Sequence, residues 1–306
     1  MIMDSPDDKA PALMRLAAWA SLAVAGLLVL VKAVAWFLTG SVAILGSLVD
    51  SALDVAASLV NFLAIRTALE PPDAEHRFGH GKAEAIAGLI QSAVILGSAV
   101  FLLFQSIARI ARPATIEHLD LGIGVSLFAI VLTLALVIFQ KKVVMKTGSV
   151  AISADRLHYT GDLLLNVAVI AALLITSLGG VGWADGAFGV AIAAYISHTA
   201  WGIGRSSVDM LMDKEFTPEE REDIFNLVLG NHEVKGIHEL RTRRSGRHSF
   251  IQMHIELDHD MSLFDAHSVA DEVEATVGEV FPNAEILIHT DPLGLEEPHH
   301  MTDQLD

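Results

Sequence analysis

The sequence predicts a polytopic α-helical membrane protein: six transmembrane helices followed by a small cytoplasmic α+β domain of order αββαβ. Three observations carry that expectation. Of 306 residues, 52% have apolar side chains and the mean hydropathy is +0.49, well above the usual range of water-soluble domains. The apolar residues fall in blocks near the ~20 residues that a helix needs to cross a bilayer. After Asp213 the blocks give way abruptly to mixed, charged sequence. The chain has no cysteine, which excludes disulfides, thiolate metal sites and a catalytic cysteine, and leaves His, Asp and Glu as the only strong metal ligands. A net charge of −17 argues against nucleic acid as a partner. An acidic surface either solubilises or concentrates cations, and composition does not separate the two.

Residues 1–12 form a polar, acidic cytoplasmic segment without the basic start and small-residue cleavage site of a signal peptide, so the first apolar block reads as a retained span. The transmembrane domain, residues 13–206, is expected to hold spans at Leu13–Leu38, Val42–Ile65, Ala83–Ile110, Leu119–Phe139, Val150–Leu178 and Trp183–Ser206. The first connection, Thr39 to Ser41, is short enough to force an antiparallel hairpin. Lys9, Arg15, Arg66, Arg77, Lys82, Lys141, Lys142, Lys146 and Arg205 flank one membrane face, and only Arg109 and Arg112 the other. The richer face is cytoplasmic by the positive-inside rule, which puts both termini there. Span three carries Ala83, Ala85, Ala87, Gly88, Ala93 and Gly97, small residues that permit close helix contact.

Residues 207–213 read as a linker, 214–292 as the soluble domain and 293–306 as a flexible polar tail. Thr217-Pro218-Glu219-Glu220 is a helix start, with Thr217 as N-cap, proline at the first position and Glu220 closing a capping box, and the helix is expected to reach Leu229. Ile237–Arg244 and Phe250–Leu257 read as strands around Ser245-Gly246-Arg247. In the second, Ile251, Met253, Ile255 and Leu257 point one way, and Gln252, His254 and Glu256 the other. An amphipathic helix from Asp265 to Val280, ended by Pro282-Asn283, and a strand from Ala284 to His289 complete the domain.

The chemistry is concentrated in two spans. Asp50 and Asp54 lie four apart in the second, so they project from one helix face. Each acid at bilayer depth costs on the order of 3 kcal/mol, so the pair demands compensation. In the fifth span Asp155, His158 and Asp162 share a face, and Asn166 continues it. Asp50, Asp54, His158 and Asp162 supply four N and O ligands, the number of a tetrahedral zinc-like site. The competing reading pairs the acids with basic groups such as Lys32 or Arg156. Between spans two and three, Asp73, His76 and His80 either bind metal at the cytoplasmic surface or are simply solvated, and no phosphate-binding glycine loop precedes Lys82. In the soluble domain His238, His254, His267 and His289 fall on separate elements, with Asp291 two residues after His289 on the same strand face. They can hold one or two metals between chains or elements, or stand as separate surface groups. His232, His248, His259, His299 and His300 read as surface groups.

Four motifs carry a resemblance. Ser47-Leu48-Val49-Asp50-Ser51-Ala52-Leu53-Asp54, then His76-Arg77-Phe78-Gly79-His80-Gly81-Lys82-Ala83-Glu84, then Asp155-Arg156-Leu157-His158-Tyr159-Thr160-Gly161-Asp162, and finally Ile288-His289-Thr290-Asp291-Pro292 resemble the cation diffusion facilitator family, in particular its bacterial zinc and ferrous-iron efflux branch. The similarity runs from about Met14 to Pro292. It implies a transport site of Asp50, Asp54, His158 and Asp162, a loop site of Asp73, His76 and His80, and a cytoplasmic binuclear site of His238, His254, His267, His289 and Asp291, with Asp291 bridging two ions. It further implies a homodimer with Lys82 pairing Asp213 at the interface, a multi-pass location in the bacterial inner membrane, and Zn2+ as substrate and regulatory ligand, with Cd2+ and Fe2+ as alternatives. An aspartate rather than a histidine at position 50 is associated in the family with accepting cadmium as well as zinc.

The expected activity is divalent cation/proton antiport by alternating access, because metal binds deprotonated carboxylates and neutral imidazole and protons therefore compete with it. A membrane metal sensor and a cation channel are the alternatives. The sensor gives the transmembrane acids no task, and full ligation of a dehydrated ion suits slow exchange better than conduction. An intramembrane protease is disfavoured: His232-Glu233 and His238-Glu239 lack a second histidine at metalloprotease spacing, and Thr160-Gly161-Asp162 lacks the Gly-x-Gly-Asp pattern. No enzyme is expected.

Overall fold

The structure, a computed structural model, describes residues 9–40, 42–111, 120–177 and 184–294. Residues 1–8 of the expected N-terminal segment, Ser41 of the expected hairpin turn, Arg112, and 295–306 of the expected tail with His299 and His300 lie outside the described residues. The elements are α1 (Lys9–Thr39), α2 (Val42–Ala68), α3 (Ala83–Ala111), α4 (Asp120–Thr147), α5 (Val150–Ser177), α6 (Ala184–Leu211), α7 (Pro218–Leu229), β1 (Gly236–Ser245), β2 (His248–Leu257), α8 (Leu263–Val280) and β3 (Ala284–Pro292). They divide into two compact units, one up to Val208 and one from Asp209.

In the first unit α1 and α2 pair as the hairpin that their short connection demands, and Gly40 makes the bend at φ 63°, a conformation that costs glycine little. Four of the helices, α1 to α4, hold a stretch long and apolar enough to cross a membrane among the described residues. Their outer faces expose large apolar side chains, Phe37 at 85% and Phe101 at 64%, as a surface solvated by hydrocarbon requires. The fifth helix is the centre of the bundle, packed against α1, α2, α3 and α4. Its inward residues join two apolar clusters, one with Met14, Ile65 and Ile152, the other with Ile95, Leu157 and Ile196.

Small residues set the closest approaches. A Cβ on Gly88 would stand 2.6 Å from Ser207 Oγ and 2.8 Å from Val150 Cγ1, and one on Gly186 2.6 Å from the Ser106 carbonyl oxygen. Gly88 thus plays the close-packing role expected of the small residues in span three, while Gly97 meets no neighbouring atom within 4 Å. Two helices run further than their apolar blocks. α4 continues through Lys141, Lys142 and Lys146 to Thr147, and α6 through residues 207–211, which the sequence suggested as the start of a linker. Lys, Gln and Met are good helix formers, so a helix need not stop where its hydrophobicity does.

The second unit has its own core. The capping box at the start of α7 is formed as expected: the Glu220 amide donates to Thr217 Oγ1 at 3.3 Å and the Thr217 amide to Glu220 Oε2 at 3.1 Å. The sheet order is β1-β2-β3, with β1 antiparallel and β2 parallel to β3, so α8 is the crossover that parallel pairing needs. Gly246, at φ 61°, turns β1 into β2. Ile251, Met253 and Ile255 of β2 are buried against Ile224 and Val228 of α7 and Val273 and Val277 of α8. The alternate residues of β2, including His254 and Glu256, therefore face away from the helices. The strand β3 runs to Pro292, beyond the expected His289, and α8 begins at Leu263, capped by Ser262, rather than at Asp265.

Candidate metal centres

The bundle site forms where α2 and α5 meet. His158 Nε2 lies 2.9 Å from Asp54 Oδ1 and 3.8 Å from Asp162 Oδ2. The four-residue spacing of His158 and Asp162 puts them on one face of α5, and packing against α2 brings Asp54 to the same nitrogen. Their ligand atoms all fall within 4.8 Å of one another, and the side chains are only 17–38% exposed. Two carboxylates aimed at one imidazole make a donor set suited to a divalent ion. Asp50, one turn earlier on α2, is exposed and stands outside this three-atom group, although its charge acts on Asp162 and Lys32. Lys32 does not neutralise the acids by direct pairing: its ammonium donates to Ser51 Oγ at 2.6 Å and to the Ser47 carbonyl at 3.2 Å.

The loop after α2 brings together the Asp73, His76 and His80 expected there. Asp73 Oδ1 accepts from the amides of Glu75 at 2.9 Å and His76 at 2.6 Å, which folds the segment into a side-chain-capped turn. Gly79, at φ 77°, then returns the chain so that His80 Nε2 lies 3.4 Å from Asp73 Oδ2, while His76 Nδ1 lies 3.3 Å from Oδ1. The His76 amide holds the Asp73 carboxyl below the usual carboxylate range. Slight desolvation opposes it, while the Glu75 amide and both imidazoles reinforce it. The carboxylate is thus kept ionised beside two imidazoles.

In the second unit the sheet register builds the site. His238 on β1 stands opposite His254 on β2, and His254 stands opposite His289 on β3, so three imidazoles form one row across the sheet. Adjacent rings are 5.1 and 4.6 Å apart. Asp291, 6% exposed, serves all three: its Oδ2 is 2.8 Å from His254 Nδ1 and 3.4 Å from His238 Nε2, and its Oδ1 is 3.1 Å from His289 Nε2. A carboxylate with each oxygen turned to a different imidazole has the donor arrangement of a bridging ligand.

His267 is not brought to this row within the chain. It lies on α8, 75% exposed, with Asp271 3.8 Å away. Two acids not singled out from the sequence border the row, Glu239 at 4.0 Å from His254 Nε2 and Glu256 at 3.9 Å from His238 Nε2. Glu256 was legible as a neighbour of His254 on the polar face of β2. Glu239 was not, since it reaches the site through a β-bulge and a φ of 47°. A further group, Asp258, His259 and Asp260, is wholly exposed, in keeping with His259 as a surface group. Asp213, with φ 54°, lies 3.4 Å from Arg243 Nη1 in the second unit.

The transmembrane domain of cation efflux proteins, as a family, matches residues 18–212, and the family of cation efflux protein cytoplasmic domains matches residues 216–293. The cation-efflux pump FieF of Shewanella oneidensis is 46% identical over 282 residues, which cover 92% of this chain and 95% of that protein. FieF of Klebsiella pneumoniae is 46% identical over 278 residues, 90% of this chain and 92% of its own. Among solved structures, the metal-bound C-terminal domain of the CzcD transporter from Thermotoga maritima is 34% identical, covers 26% of this chain and 93% of its own, and superposes with a TM-score of 0.25.

Proposed function

We propose that this chain, which belongs to the cation efflux family, exports Zn2+ from the cytoplasm in exchange for protons, with Cd2+ and Fe2+ as further substrates. The observation that carries the reading is the convergence of Asp54, His158 and Asp162, ligand atoms within 4.8 Å, on two helices that are otherwise largely apolar. Acids that each oppose membrane insertion by about 3 kcal/mol are retained where a divalent ion compensates them. Asp50 completes the set as a fourth ligand when an ion loads. Metal needs the carboxylates ionised and the imidazole neutral, so loading sheds protons and protons arriving from outside expel metal. One imidazole with carboxylates favours zinc or cadmium over manganese.

The remaining assignments rest on the same reading. All six long helices span the inner membrane of a bacterium, with both termini cytoplasmic, as the distribution of Lys and Arg supports. Asp73, His76 and His80 take up metal at the cytoplasmic surface. His238, His254, His289 and Asp291 hold a regulatory pair of ions with Asp291 between them, and His267 reaches that site only across a homodimer. Lys82 and Asp213 pair at the dimer interface.

Everted membrane vesicles test the central assignment. An imposed pH gradient should drive uptake of zinc or cadmium by the wild type, and Asp54→Ala should abolish it. Undiminished transport by that variant sinks the site. Metal flux that does not saturate with metal concentration and ignores the pH gradient favours the channel, and metal binding without any flux favours the sensor.

A further inference from the structure

Asp155 is the acid of α5 for which the metal chemistry has no use. It lies one helical turn before His158 and is fully buried, at 0% exposure. Its Oδ2 accepts hydrogen bonds from Ser21 Oγ of α1 and Gln140 Nε2 of α4, both at 2.6 Å, whereas Oδ1 has no partner. From Ser21 the hydroxyls continue: Ser21 Oγ is 3.1 Å from Ser58 Oγ of α2, and Ser58 Oγ is 2.8 Å from the Tyr159 hydroxyl. A polar chain thus links Asp155 to the residue next to His158.

Around this chain the bundle is short of donors. The buried side-chain atoms left without a hydrogen bond include Gln91 Oε1, Gln140 Oε1 and Asp155 Oδ1, all acceptors. A buried acceptor left without a partner is destabilising, because its hydration is lost and nothing replaces it. Asp155 forms no ion pair with Lys or Arg among the described residues, and an isolated buried carboxylate is costlier still. The titratable groups acting on it are His158 and Tyr159 of its own helix; the packed helices offer neutral ones, Ser21 from α1, Ser58 from α2, Gln91 from α3 and Gln140 from α4. An excess of acceptors around a lone acid is satisfied by a guest that brings donors: a proton on the carboxyl, with water alongside.

We propose that Asp155, with the polar groups packed on it, is a proton-holding site coupled to the metal site one turn away. Asp155 carries a proton while the metal site is free, and gives it up to water when a divalent ion loads beside the neutral His158, because the positive charge of the ion favours the ionised carboxylate. The step is a simple dissociation of a carboxylic acid into carboxylate and a hydrated proton. It rests on the antiport reading and adds a proton carrier that is not a metal ligand.

The test counts protons. Purified full-length protein in weakly buffered detergent is titrated with Cd2+, and the protons released per ion bound are compared with Asp155→Asn. The variant should bind the same number of Cd2+ ions and release about one proton fewer per ion at the bundle site, while Asp155→Glu restores the count. The same count in Asp155→Asn as in the wild type overturns the inference. Infrared difference spectra of protein carrying 13C-labelled aspartate need no Asn variant: the wild type should lose a protonated-aspartate band on adding Cd2+, and Asp155→Glu should lose a band that the label does not shift. Absence of any such loss in the wild type also overturns it. If the wild type neither transports metal nor releases protons, the antiport reading itself fails; if it does both and Asp155→Asn matches it, only the role of Asp155 fails.

Discussion

Replacing Asp291 by asparagine should strip the second unit of nearly all its metal-dependent stability. The carboxylate is 2.8 to 3.4 Å from three imidazoles, so on the proposed metal-site reading a single substitution should weaken the binding of each ion. The unit from Asp209 onward has its own core and can be studied alone. At zinc one-hundredfold above its dissociation constant, binding stabilises the folded state by about 2.7 kcal/mol. For a domain of this size that corresponds to a melting shift of about 10 to 20 °C. Losing only an outer partner of a metal ligand costs 10- to 100-fold in affinity, so losing the ligand itself costs about 100-fold or more. At the same zinc concentration the variant is then at about its own dissociation constant, where the stabilisation is about 0.4 kcal/mol and the shift about 2 to 3 °C. Asparagine preserves the volume and one acceptor oxygen, so the metal-free melting temperature should move little. Scanning fluorimetry with and without zinc gives both numbers. A zinc shift above about 10 °C in Asp291→Asn would refute Asp291 as the shared ligand.

Other consequences follow from single contacts. Gly186→Ala places a methyl 2.6 Å from the Ser106 carbonyl oxygen and 3.0 Å from the Ile110 nitrogen, backbone atoms that cannot swing aside, and should cost about 1–3 kcal/mol, read as a lower unfolding temperature of the full chain in detergent. An unchanged temperature would mean that α3 and α6 are not packed that closely. The Asp73 turn has a definite pH signature: because the folded pKa is depressed, its contribution is complete above the unfolded value of about 3.9 and is lost only as pH falls through the lower, folded value. The step that reports the Asp73 carboxyl in the amide shifts of Glu75 and His76 should therefore lie in acid below the ordinary carboxylate value of about 3.9. Asp73→Asn should lack that acid transition, and a midpoint above the ordinary carboxylate value in the wild type would contradict the amide bonds seen there.

What could be read from the sequence was local. The capping box of Thr217 and Glu220 declares the start of α7 within four residues, and the alternation from Ile251 to Leu257 declares β2 and the face on which His254 sits. The pairs Asp50/Asp54 and His158/Asp162 could be named because a four-residue spacing fixes a helix face. What escaped depends on contacts distant in sequence or on irregular backbone. His267 has the right chemistry but lies on α8, away from the histidine row. Glu239 borders that row only because β1 bulges between His238 and Arg241. Asp155 was visible as a third member of the α5 face, yet its burial against Ser21 and Gln140 comes from tertiary contacts that no spacing rule predicts. The extra turns of α4 and α6 escaped because hydropathy marks the apolar block and not the helix that contains it.

The central claim, that metal and protons exchange through the same chain, is tested most directly by following both fluxes at once. Purified wild-type protein in liposomes, with a zinc-sensitive dye and a pH-sensitive dye inside, should show zinc entering as protons leave. Each flux should stall when the other is clamped, and both should stop in Asp54→Ala. Zinc movement that proceeds at full rate with no proton counterflow would contradict the account.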